Sequence, residues 1–165
     1  MLKNQLQGFK YAVLVSMILF LSILNGFSAD TRLLNEKGNQ SQKFQIIKDQ
    51  GGVIELSESQ FSVDQPKFYI YRFPENSVRF FVLKSSDGVI RAALDSCDVC
   101  YAARKGFRQE GDYTVCNNCG NAYPSVKINV ETGGCNPVSL VRTVKKGKVV
   151  ILVKDLKAGL KYFNF

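Results

Sequence analysis

Residues 78–94 read VRFFVLKSSDGVIRAAL. Two apolar runs, 78–84 and 89–94, flank Ser85-Ser86-Asp87-Gly88, and an Asp-Gly step between apolar runs predicts a β-hairpin. On the N-terminal side, residues 68–73 (FYIYRF) set Phe68, Ile70 and Arg72 against Tyr69, Tyr71 and Phe73, an aromatic-rich alternation that suits a strand. Further out, 44–47 (FQII) and 53–56 (VIEL) frame Asp49-Gln50-Gly51-Gly52, a turn signal between short strands. On the C-terminal side, 125–130 (SVKINV) alternates and reads as a strand, and 148–154 (KVVILVK) is the strongest strand signal in the chain. Residues 101–105 suit one or two helical turns closed by Gly106, whereas 157–163 is too short to assign. The pattern predicts a mainly β, small α+β fold: a compact β-rich domain over 43–165, with cysteine-bearing loops at one end.

The chain has 165 residues, 45% hydrophobic and 22% charged, with a net charge of +8. This is ordinary globular composition. The positive charges are scattered apart from 142–148 (RTVKKGK), and no nucleic-acid motif is present, so a nucleic-acid partner is not expected. Lys3 and Lys10 precede an apolar run at 11–24, which matches a hydrophobic N-terminal helix acting as a signal peptide or an uncleaved membrane anchor over 1–29. Either reading keeps the lysines inside and puts the rest of the chain at the outer face of the cytoplasmic membrane or in the periplasm. Residues 30–42 are polar, of mixed charge, and read as a linker.

Histidine is absent. That excludes Ser-His-Asp and Cys-His catalytic pairs, imidazole-ligated zinc and histidine-ligated haem. Cysteine carries the chemistry instead. Cys97-Asp98-Val99-Cys100 and Cys116-Asn117-Asn118-Cys119 are separated by fifteen residues, and Cys135 follows in Gly133-Gly134-Cys135-Asn136-Pro137. A Cys-x-x-Cys turn directs two thiolates into one hemisphere while backbone N–H groups point at the sulfurs. Two such turns facing each other give a tetrahedral sulfur site for zinc or iron. Gly120 supplies a residue that can take positive φ beside the metal. The glycines before Cys135 and the proline after it make a shaped turn that presents sulfur or backbone donors to the cluster. Structural disulfides and a redox-active dithiol are the competing readings. The odd cysteine count and the very small loops that Cys-x-x-Cys disulfides would close weigh against the first.

These stretches, together with Asp95-Ser96 before the first pair, Tyr101 after it, Lys105-Gly106-Phe107 and Gly120, resemble the FtrD-like membrane iron–sulfur domain, closely over about residues 80–141. The resemblance implies an iron–sulfur cofactor, a link to bacterial iron uptake at the inner membrane, and Cys97, Cys100, Cys116 and Cys119 as ligands. It gives Cys135 the place of an extra or alternative ligand. Longer members carry several membrane spans before this domain, where this chain has one short apolar segment. The function expected is electron transfer with a protein redox or iron-transport partner, Arg104, Lys105 and Lys127 raising the potential and attracting an acidic surface. A zinc or copper binding module and a thiol–disulfide oxidoreductase are the alternatives, and the residues identify no small-molecule substrate. Asp95 is expected to cap the turn, and Tyr101, Phe107, Tyr113 and Tyr123 to shield the sulfurs from water.

Overall fold

The computed structural model describes residues 43–164, so the expected signal or anchor segment and the whole 30–42 linker lie outside the described residues. The 68–73 alternation becomes β3 (Lys67–Arg72), and the hairpin becomes β4 (Ser77–Lys84) and β5 (Ile90–Leu94). β1 (Phe44–Ile47) joins them, giving a sheet of order β1-β3-β4-β5 in which only the β1–β3 pairing is parallel. β2 (Val53–Ser57) pairs instead with β10 (Lys148–Leu152), which pairs with β9 (Thr143–Lys145). The third sheet is β6 (Phe107–Glu110), β7 (Tyr113–Cys116) and β8 (Ala122–Pro124). A short helix, α1 (Val153–Ala158), and a 3-10 turn, Leu160–Tyr162, end the described chain.

The Asp49–Gly52 turn forms, but it does not close a hairpin. It hands the chain from one sheet to another, with Asp49 accepting from Gly52 N at 2.6 Å and from the Tyr71 hydroxyl at 2.7 Å.

β4 is buried on both faces, and this places everything else. Because side chains alternate along a strand, Val78, Phe80 and Val82 enter one cluster with Ile54, Leu56, Ile151 and Leu156 from the β2–β10 sheet and α1. Phe81 and Leu83 enter a second cluster with Phe107, Ile128, Cys97 and Cys116. On that second face a row of rings crosses the sheet: Phe44–Phe68, Phe68–Phe81 and Phe81–Phe107, with centroids 5.7, 5.3 and 6.4 Å apart. The cysteine lobe is therefore the second hydrophobic core of the domain rather than an appendage.

Three local expectations need correction. Residues 125–130 are not a strand: Ser125–Lys127 is a 3-10 turn, and Asn129 follows with φ of +63°. The side chain of Asn129 takes the place a strand backbone would have taken, accepting from Ala92 N at 3.0 Å and donating to Ala92 O at 2.8 Å. Residues 101–105 form one 3-10 turn, Tyr101–Ala103, closed by Arg104 in the left-handed region. The 148–154 strand stops at Leu152, where α1 begins; Val153 N still reaches Gly52 O at 2.9 Å, the next place in the β2–β10 register.

Phe80 and Phe81 are both fully buried neighbours facing opposite cores. Phe80→Ala and Phe81→Ala are each expected to cost about 3–5 kcal/mol in urea denaturation. Only Phe81→Ala should also lower the metal retained after purification.

Candidate metal centre

The two Cys-x-x-Cys loops reach the same place by different routes. Cys97 follows β5 directly, and Asp95 N is tied to Arg79 O at 2.9 Å. Cys116 ends β7, where it sits in register with Phe107 at the start of β6, and Asn117 N donates to Gly106 O at 2.9 Å. Cys135 arrives because the segment after it lies along the outer edge of β5: Val138 N bonds Ser96 O, and Leu140 N bonds Ala92 O, both at 3.0 Å. The two glycines before it take φ of +88° and +63°, giving the shaped turn expected there.

All five sulfurs meet. Sγ atoms of Cys97, Cys100 and Cys135 lie within 4.8 Å of one another, and so do those of Cys100, Cys116 and Cys119. Cys100 is common to both triads, and Cys135 touches both, with Sγ–Sγ distances of 3.7 Å to Cys100 and 3.5 Å to Cys119. The thiols are free of disulfides. Cys97 and Cys116 are buried, Cys100 and Cys135 half-buried, and Cys119 exposed, so the cluster runs from core to surface. A backbone donor and a side-chain donor face the sulfurs: Cys100 N donates to Cys97 Sγ at 3.1 Å, and the Asn118 side-chain amide donates to Cys100 Sγ at 3.4 Å. Gly120 has φ of +75° and donates to Cys116 O.

The electrostatics of the thiols differ sharply over this short distance. The Asn121 N–H, followed by the Cys135 and Cys116 thiols, holds Cys119 down to about 7. Burial pushes Cys116 up, against N–H donation from Cys119 and Asn118. Cys135 is pushed well above the ordinary thiol range, first by its hydrogen bond with Cys119 and then by burial. Such crowded thiols cannot all ionise together unless a cation compensates them, a charge that a bound metal ion would supply.

Several residues around the sulfurs play roles the sequence did not disclose. Asp95 does not cap its own turn. It is buried, accepts from Phe107 N at 2.7 Å and lies 3.4 Å from Arg79 Nε, joining β4, the end of β5 and the start of β6. Burial raises its carboxyl to about 6, against the Arg79 guanidinium and the Phe107 N–H. Tyr162 donates to Asp98 Oδ1 at 2.6 Å, so the C-terminal turn clamps the first cysteine loop. Of the four aromatics expected as shields, Phe107 is buried with Cys97 and Cys116, and Tyr101 stands beside Cys100 in the wall of the adjoining cavity. Tyr113 is largely exposed on β7, and Tyr123 points to Glu131 at 3.5 Å, so neither covers the sulfurs. Lys127 is paired with Glu131 at 2.9 Å, which offsets much of the charge expected from it.

Thiolates converging from three loops, served by N–H donors and lacking any imidazole, are consistent with a metal-binding protein. The chain belongs to the family described as membrane iron-sulfur containing protein FtrD-like, whose sequence model matches residues 62–163. No curated protein matches it. No helix among the described residues is long and apolar enough to cross a membrane.

Gly106 joins the two loops mechanically. Its φ is +65°, and a Cβ there would collide with the Asp95 carboxylate. Gly51 has a similar φ of +60° with open space around it. Gly51→Ala is expected to cost about 1–2 kcal/mol from left-handed strain alone. Gly106→Ala should cost clearly more and release metal, as measured by thermal melting and metal content side by side.

Proposed function

We propose that this chain is an extracytoplasmic, membrane-associated iron–thiolate protein that passes single electrons in iron uptake. Cys97, Cys100, Cys116 and Cys119 are the ligands in this reading, and Cys135 is the fifth sulfur that completes or replaces one of them. The observation that carries it is the union of all five sulfurs in two triads sharing Cys100, graded from buried Cys97 to exposed Cys119. The buried side and the N–H donors set the potential of such a centre. The exposed Cys119 edge gives a partner protein a short path to it. Arg104 and Lys105, both exposed, favour a partner with an acidic surface. The outer location rests on Lys3, Lys10 and the apolar run at 11–24, and the iron-uptake role on the family resemblance.

The donor set fits iron, and a bound iron centre would supply the one-electron chemistry. The spacing has its own consequence. Thiolates about 2.3 Å from a single tetrahedral ion stand about 3.8 Å apart, close to the 3.5 and 3.7 Å contacts of Cys135. That short spacing belongs to Cys135 and its two neighbours, whereas Cys97, Cys100, Cys116 and Cys119 are divided between the two triads. The same spacing favours, as a second reading, a zinc or copper(I) module without redox turnover.

Anaerobic purification of the full-length chain, followed by metal analysis and visible spectroscopy, separates these readings. The expected result is bound iron with broad visible absorption that bleaches on dithionite addition. Serine at Cys97, Cys100, Cys116 or Cys119 should abolish the colour, and Cys135→Ser should shift the spectrum while retaining metal. Colourless protein with stoichiometric zinc would overturn the redox role, and metal-free native protein with intact disulfides would favour a thiol–disulfide oxidoreductase.

A further inference from the structure

Beside the sulfurs the fold forms a half-open cavity of ≈ 280 Å³. That is room for about nine waters at their share of liquid volume, and it lies near the lower end of small-ligand sites. Cys97, Cys100 and Cys116 form one of its walls. Tyr101, Tyr162 and Phe163 form another, with Tyr101 and Tyr162 edge to face at 6.1 Å.

Apart from the sulfurs, the charged side chains in the cavity are unbalanced. Arg72, Arg79 and Arg104 line it against a single acid, Asp95. Asp95 is already engaged by Phe107 N and Arg79 Nε. Arg79 spends Nη2 on Arg104 O at 2.9 Å, and its Nη1 has no hydrogen-bond partner among the described residues. Arg72 makes no hydrogen bond or ion pair among the described residues, although it stands at the rim of the same space. Guanidinium forks match carboxylate geometry, and aromatic walls match an apolar body.

We infer that this cavity is a binding site for a small organic carboxylate, its head group held by Arg72 and Arg79 and its body lying against Tyr162 and Phe163. An occupant there would lie against the wall that carries Cys97, Cys100 and Cys116. The inference goes beyond the electron-transfer reading and holds for whichever metal the sulfurs carry.

Calorimetric titration of the full-length, anaerobically purified chain with benzoate, citrate and inorganic phosphate tests it, with metal content measured on the same sample. Saturable binding of benzoate or citrate is expected, with phosphate weaker because it lacks a body for the aromatic wall. Arg72→Ala should weaken the carboxylate by about tenfold, the worth of a charged hydrogen-bond pair. Arg72→Lys, which retains the charge but loses the fork, should fall between. Lys145→Ala, on exposed β9, should change nothing. No saturable binding at millimolar concentration, or equal losses in Arg72→Ala and Lys145→Ala, would overturn the site. Phosphate binding as tightly as benzoate would overturn the organic class. A zinc-loaded protein that binds benzoate retains this site and loses the redox reading, and an iron-loaded protein that binds no carboxylate does the reverse.

Discussion

Burial of β4 on both faces is the constraint from which the rest of the architecture follows. A strand whose neighbouring residues Phe80, Phe81, Val82 and Leu83 are all inaccessible to water needs a layer on each side. The β2–β10 sheet and α1 provide one layer, and the cysteine lobe provides the other. The sulfurs of Cys97 and Cys116 are consequently held by packing against this layer. Cys97 and Cys116 are members of the same buried cluster as Phe81 and Phe107, so a metal held by them would be linked to closure of the second core. Metal binding to such a site contributes directly to folding free energy.

The second organising feature is electrostatic. Asp95, buried between β4, β5 and β6, is surrounded by groups that both penalise and favour its charge. It accepts the Phe107 N–H, faces Arg79 and fixes the approach of Gly106, which in turn accepts from Asn117 in the second cysteine loop. Arg79 extends the chain of contacts to Arg104 O, and its guanidinium also lies over the Phe44 and Phe163 rings at 5.6 and 6.0 Å. One buried acid thus couples the sheet, both cysteine loops and the charged cavity.

Much of this was legible in the sequence where local chemistry decides. The Asp-Gly hairpin, the 68–73 strand and the Cys-x-x-Cys turns are specified by residues close together in the chain, and the structure contains them. The β-rich class and the convergence of the five cysteines follow from the same signals. What the sequence concealed depends on distant partners. The 125–130 alternation has the period of a strand, yet the amide of Asn129 replaces a strand backbone at the edge of β5, an exchange visible only once Ala92 is beside it. Asp95 reads as a turn cap because its real partners, Phe107 and Arg79, are 12 and 16 positions away. Tyr113 and Tyr123 were expected near the sulfurs from proximity in sequence, but their strands carry them elsewhere. The arginine-lined cavity had no sequence signature at all, since Arg72, Arg79 and Arg104 come from three separate segments.

In the proposed function, cysteine sulfurs alone hold an iron centre at the end of this fold. X-ray absorption at the iron edge of the full-length chain, purified without oxygen, tests that most directly. The expected first shell contains sulfur only, at about 2.3 Å. A first shell of oxygen or nitrogen, or the absence of iron from folded protein, would contradict it.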